Sequence, residues 1–264
     1  MFSTTPARVA NLTAVLCSVL CSYFLTLTSY TLTSSILSSF LSPLLFAFSP
    51  LTWEYAVGAE VFALNNLLVS MMLYMTVRVH LAADPRAVRK LSYLGAIVGG
   101  LCLANQHTSL LFLVPSILSI LYLLRTTSNL SPRTFLTLTA AFLLGLSPYL
   151  YLFLAAQTPT QGSWGDTASL AGFITHVTRA EYGTLSLAPE RGSAGQTGTE
   201  RIVWWLEDLV KQFGGGAVAG AIGVGSVLWE CMPKKDTKTT KTTKTTKTMP
   251  KTILVNARPF VHTA

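Results

Sequence analysis

Long uncharged apolar runs, separated by short polar or basic segments, set the pattern of residues 1–231. The longest lies between Arg8 and Glu54, 45 residues without a charge. A helix crosses a bilayer with about 20 apolar residues, so this run predicts two spans. They fall near Asn11–Tyr30 and Ser34–Ser49, with a tight turn at Thr31–Thr33. Their many serines and threonines predict helix–helix contacts through small residues. A third span is expected over Val61–Val79, ending in a basic loop, Arg78–Lys90. The uncharged stretch Leu91–Leu124 is interrupted by Asn105-Gln106-His107 and reads as two short spans with a polar hairpin between them. Another span covers Phe135–Ala155, where Pro148 predicts a kink. The Gly-rich segment Gly214–Trp229 is the last candidate; its Gly216-xxx-Gly220 reads as close helix packing. The pattern predicts an all-α polytopic transmembrane helical bundle of about seven spans.

Composition and charge agree. Half the residues are hydrophobic, 11% are charged and the mean hydropathy is +0.49. A soluble domain carries roughly 25% charged residues, so most soluble enzymes are excluded. The net charge of +8 does not point to nucleic acid, because it is a property of one end. Residues 1–231 hold 11 Lys/Arg against 10 Asp/Glu, whereas 232–264 hold 8 against 1. Two segments follow: a membrane domain, 1–231, and a Lys/Thr-rich tail, 232–264, whose Lys-Thr-Thr repeats cannot bury a core and predict disorder. The basic segments 78–90, 125–133 and the tail all fall on one side of a seven-span topology, which the positive-inside rule makes cytosolic. The opposite side receives the N-terminus, segment 50–60, the Asn105–His107 hairpin and a long loop, 156–213. No Cys/His spacing suits zinc, and no metal site is expected. Phosphate-loop, nucleophile-elbow and HExxH motifs are absent.

In so apolar a chain, polar clusters at membrane depth are functional candidates, because an unpaired group there costs several kcal/mol. Four of them share the non-basic side. Glu60 opens the third span, where a carboxylate favours the positive end of a helix; Asn65 and Asn66 follow, placed to bridge helices. Asn105-Gln106-His107-Thr108 offers an imidazole for phosphate or proton handling, or a turn capped by its own amides. Trp164-Gly165-Asp166 precedes the stripe Leu170, Phe173, Ile174 and Val177, which predicts a short amphipathic helix with Asp166 as a possible cap. Within 176–183, His176 and Arg179 lie one turn apart on the polar side of that helix and suit an anion such as a lipid-linked phosphate. Glu181 lies close to the apolar stripe, where a carboxylate needs a partner, although docking of the stripe at the membrane surface accounts for the pattern equally.

Taken in order, Ser49-Pro50-Leu51-Thr52-Trp53, Ala59-Glu60-Val61-Phe62-Ala63-Leu64-Asn65-Asn66, Asn105-Gln106-His107-Thr108, Trp164-Gly165-Asp166, Phe173-Ile174-Thr175-His176 and Arg179-Ala180-Glu181-Tyr182-Gly183-Thr184 resemble the motifs of one family. It is the endoplasmic-reticulum protein O-mannosyltransferases of the transmembrane-protein-260 type, with their bacterial relatives; the resemblance covers roughly residues 10–230. It implies a multi-pass GT-C glycosyltransferase in the endoplasmic-reticulum membrane, working on the luminal side with no cofactor beyond its lipid-linked donor. That donor would be dolichyl-phosphate mannose, and the acceptors Ser/Thr hydroxyls on ectodomains of receptor proteins in the secretory pathway. The mechanism implied is an inverting displacement, with a luminal carboxylate as base and basic residues steadying the departing phosphate. His107, Arg179, Glu181, Trp164 and His176 are the expected substrate-binding residues, and Glu60 and Asp166 the candidate bases.

One departure stands out. In the family, the first transmembrane helix is followed by a luminal loop with an Asp-Ser-Gly-Glu type motif carrying the catalytic acid. Here the first charged residue after Arg8 is Glu54. The expectation is a chain lacking that span and loop: a truncated mannosyltransferase, a divergent gene product, or an inactive paralogue that binds lipid-linked sugar without turnover. A membrane transporter is a further alternative. It would need polar residues spread through the membrane depth, whereas these gather on one side.

Overall fold

The computed structural model describes residues 5–127, 129–158, 166–178, 180 and 198–214. The chain divides into two units, 1–202 and 203–264, and the bundle lies in the first. Every regular element among the described residues is helical. The helices are α1 (Pro6–Thr33), α2 (Ile36–Ala47), α3 (Pro50–Val57), α4 (Val61–Leu81), α5 (Pro85–Asn105), α6 (Leu110–Thr126), α7 (Pro132–Gly145), α8 (Pro148–Ala155), α9 (Leu170–Thr178) and α10 (Gly198–Phe213). A 3-10 turn, His107–Ser109, separates α5 from α6.

Four helices, α1, α4, α5 and the stretch His107–Thr126, are each long and apolar enough to cross a membrane. Two bent pairs, α2 with α3 (69°) and α7 with α8 (41°), raise the number to six if each pair is one span. The seventh candidate, Gly214–Trp229, lies outside the described residues apart from Gly214, as does the whole Lys/Thr-rich tail. Large side chains such as Leu32, Leu111, Leu118, Tyr122 and Leu136 stand exposed around the bundle. So much apolar surface is a liability in water and suits contact with lipid.

Helix starts follow one local rule. Thr5-Pro6, Ser49-Pro50, Asp84-Pro85, Ser131-Pro132 and Ser147-Pro148 each place proline within the first helical turn, behind a short polar residue. Proline costs nothing there, because its missing N–H has no intrahelical partner. Three of the polar residues also act as side-chain caps: Thr5 accepts from Arg8 N, Asp84 from Arg86 N and Ser131 from Thr134 N. These caps correct the expected boundaries. Segment 78–90 is mostly helix rather than loop: Arg78 closes α4, while Arg86, Arg89 and Lys90 open α5. Segment 50–60 is largely α3. The first turn sits at Ser34–Ser35 instead of Thr31–Thr33, with Ser34 left-handed at φ 53°.

The serine and threonine hydroxyls of α1 are mostly satisfied within the helix. Thr13, Ser18, Ser22, Thr26, Thr28 and Thr31 each donate to the carbonyl four residues back in the same helix. Ser29 alone among the hydroxyls of α1 described here bridges helices, donating to Ser38 O at 3.1 Å. A hydroxyl satisfied by its own backbone can sit in an apolar setting without a partner helix.

Tertiary packing fixes direction. Cys21 Sγ donates to Asn66 O (3.3 Å), and further along Phe24 meets Tyr74 with ring centroids 5.9 Å apart. Residue numbers rise together, so α1 and α4 run parallel and α2–α3 makes the return pass. Leu68, Met72, Val98, Cys102 and Leu113 form the central core, and Val79, Val88, Ile120 and Leu124 a second one toward one end. Helices α5 and α7 cross at their glycines: a Cβ on Gly100 would lie 2.7 Å from Gly145 Cα. Small residues allow that backbone approach where lipid supplies no hydrophobic drive to pack.

Candidate functional site

The antiparallel runs of α4, α5, α6 and α7–α8 give the bundle two chemically different ends. One gathers Arg78, Arg86, Arg89, Lys90, Arg125 and Arg133 against the acid Asp84. The other carries the start of α4, the α5–α6 hairpin, the end of α8, and α9.

At that second end Glu60 stands at the N-cap of α4 with extended backbone and makes no side-chain cap bond. Its neighbour Val61 accepts a hydrogen bond from Asn105 Nδ2 (3.3 Å), which ties the head of α4 to the last residue of α5. Gln106 then leaves the helix (φ −153°, ψ 129°), although its N–H still reaches Cys102 O. Ser109 closes the turn by donating both its N–H and its hydroxyl to Gln106 O. His107 therefore opens a hydrogen-bonded turn between α5 and α6, at the polar break in a long apolar stretch.

Helix α9 docks onto this hairpin. His107 Nε2 lies 3.0 Å from Val177 O, a geometry that places the proton on Nε2. On α8, Tyr149 OH donates to Leu103 O (3.2 Å), Phe153 meets Phe173 edge-to-face at 5.8 Å, and Gln157 Nε2 donates to Ala168 O. The stripe of α9 is thus divided: Phe173 and Val177 are half-buried, while Leu170 and Ile174 remain exposed.

Asp166 has a defined local task. Ser169 is the N-cap of α9: its Oγ accepts from Gly172 N, its carbonyl accepts from Phe173 N, and its hydroxyl donates to Asp166 Oδ2 (3.1 Å). Asp166 holds the capping serine rather than capping the helix itself. A side chain at position 172 would collide with the Asp166 carbonyl, so only glycine fits there.

The structure therefore brings Glu60, Asn105, His107 and His176 to one end of the bundle, with His176 next to Val177 on α9. Asp166 packs against the first turn of α9, at Ser169 and Gly172, whereas His176 lies in its last turn. Trp164, Arg179 and Glu181 lie outside the described residues. Among the described residues no three His, Cys, Asp or Glu side chains converge to hold a metal ion.

Two amides add what residue spacing did not show. Asn65 Oδ1 and Gln106 Oε1 are buried without a hydrogen-bond partner. Asn65 lies one turn beyond Val61 on the same side of α4, and Gln106 follows Asn105, so both belong to the α4–α5 junction. A buried acceptor left unmet costs about 1–3 kcal/mol. The sequence signal was present, since amides are rare in spans, but their inward direction is a property of the packing. Amphipathic α10 was likewise missed, although Val203, Leu206 and Val210 repeat at helical spacing.

Comparison with known proteins agrees with the motif order. Residues 1–131 match the family described as protein O-mannosyl-transferase TMEM260 N-terminal domain. The mouse protein O-mannosyl-transferase TMEM260 is 41% identical over 172 residues, 64% of this chain and 24% of that protein. The tmem260 protein of Dictyostelium discoideum is 34% identical over 203 residues, 73% of this chain and 25% of its own length. The chain spans about a quarter of the length of these relatives. No solved structure matches it. With an all-helical multi-pass bundle, the ordered motifs and these similarities together, the chain is a membrane protein of the TMEM260 type, matched over residues 1–131 to that N-terminal domain.

Proposed function

We propose that this chain forms the donor-binding part of a GT-C mannosyltransferase in the endoplasmic-reticulum membrane, with its polar end toward the lumen and its basic end toward the cytosol. The observation that carries the reading is the convergence at one end of the imidazole-bearing hairpin, the docked α9, and two buried amide oxygens that lack donors. A sugar is a cluster of hydroxyl donors, and Asn65 and Gln106 supply acceptors for it. His176, with Arg179 in the adjoining segment, suits the phosphate that joins sugar to lipid, and His107, whose Nε2 proton goes to Val177 O, holds α9 beside it. The charge asymmetry of the two ends supports the orientation.

In the transfer itself, a Ser/Thr hydroxyl oxygen of a receptor ectodomain attacks mannose C1. The bond from C1 to the phosphate oxygen of dolichyl-phosphate mannose breaks, the lipid phosphate leaves, and a carboxylate takes the hydroxyl proton. Glu60 is the better placed of the two candidate carboxylates, since Asp166 is engaged with Ser169. That engagement favours a second reading, donor binding without turnover.

One experiment separates them. Membranes containing the full chain are given dolichyl-phosphate mannose and a receptor-ectodomain acceptor, and donor binding and transfer are measured together. Binding with transfer, both reduced by His107→Ala, supports the enzyme; binding without transfer supports the second reading. Absence of donor binding overturns both.

A further inference from the structure

A lateral groove of about 220 Å³ runs between α6 and α7 over a floor made by α5. Ser92 and Ala96 form its floor, Ile117 and Leu121 one wall, Phe135 and Leu138 the other. Its hydroxyl groups are spent on their own helices: Ser92 Oγ donates to Val88 O (2.8 Å) and Thr139 Oγ1 to Phe135 O (3.1 Å). What remains is a hydrocarbon-lined slot beside the exposed apolar faces of Leu118 and Leu136. A chain of methylenes fits such a slot, and water finds no partners in it.

Basic residues rim the groove at one end. Arg89 lies three residues before Ser92 and Arg125 four residues after Leu121, spacings that put each arginine over its lining residue on the same helix face. Among the described residues Asp84 is the acid at this end, where as N-cap of α5 its Oδ1 accepts from Arg86 N (3.0 Å), and the basic groups outnumber it. Positive groups around the mouth of an apolar slot between helices match a lipid with an anionic headgroup.

We infer that one anionic glycerophospholipid binds here, with an acyl chain between α6 and α7 and its phosphate between Arg89 and Arg125. The inference rests on the orientation proposed above, which makes this the cytosolic leaflet. The donor's own tail is the wrong occupant for this rim. Ser92 and Gln106 are separated by about 21 Å along α5, so a phosphate at the arginines is far from His107.

The test uses the full chain in phosphatidylcholine nanodiscs doped with phosphatidylserine, and native mass spectrometry after detergent release. Phosphatidylserine should be retained over phosphatidylcholine, and Arg89→Gln with Arg125→Gln should erode that preference by roughly fivefold per arginine. Thr139→Trp, introduced at an exposed position on the groove's edge, should lower retention of both lipids. Equal retention of the two lipids by the wild type, or a preference that survives the double substitution, overturns the headgroup assignment. Unchanged retention in Thr139→Trp overturns the groove. No sugar donor takes part, so failure here is distinct from failure of the donor-binding reading, which His107→Ala probes at the other end.

Discussion

Three glycines on α5 report on how closely it meets α7. A Cβ added at Gly95 meets nothing within 4 Å; at Gly99 it makes ordinary contacts of 3.5–3.6 Å with Leu113 and Phe142; at Gly100 it lies 2.7 Å from Gly145 Cα. Backbone cannot swing aside as a side chain does. To regain a normal carbon–carbon separation, the two helices must part by about 1 Å. Such overpacking costs about 1–3 kcal/mol, whereas Gly→Ala at an unobstructed helical position gains up to about 1 kcal/mol. Gly100→Ala should therefore lower the melting temperature by about 2–12 °C, while Gly95→Ala and Gly99→Ala leave it level or raise it. Cys102, fully buried half a turn away, supplies the assay: a thiol-reactive dye labels it as the bundle opens. Function should follow stability, since α7 leads into α8, whose Tyr149 and Phe153 hold α5 and α9. Equal melting of Gly95→Ala and Gly100→Ala would refute the close crossing.

Other expectations are local. His107→Ala removes the bond to Val177 O, worth about 1 kcal/mol, and should speed amide exchange across 170–178 while sparing α4; unchanged exchange would mean that Phe153 alone docks α9. Ser169→Ala should cost α9 about 1 kcal/mol through its lost cap, with Asp166→Asn milder, read by proteolysis of the 166–178 segment. Gln106→Leu removes an unmet buried acceptor. It should raise thermal stability and weaken donor binding together, and retention of full donor binding would take Gln106 out of the sugar site.

How much of this was legible in the residues depends on which force decides each feature. Spans were legible because transfer into lipid is a sum over side chains: the uncharged run of 45 residues yields α1, long enough to cross alone, and α2, which makes a second crossing if the bent pair α2–α3 is one span. The break at Asn105–His107, the bend at Pro148 and the stripe of α9 were readable for the same reason: each is a local violation of, or match to, helical periodicity. Helix starts were less readable, because hydropathy counts the charges of segment 78–90 but overlooks the Asp84-Pro85 cap that makes it helical. Even that dipeptide rule is incomplete, since Ser42-Pro43 has the same form and lies inside α2.

Tertiary structure alone decided the rest. That α1 and α4 run parallel, that Gly100 faces Gly145, and that His107 reaches Val177 70 residues away all depend on which faces meet. The same holds for Asn65 and Gln106, whose amide oxygens are buried without a partner at the α4–α5 junction. Burial and hydrogen bonding are pairwise properties of surfaces brought together. A sequence states which groups need partners, and only the packing of the helices determines which of them find one.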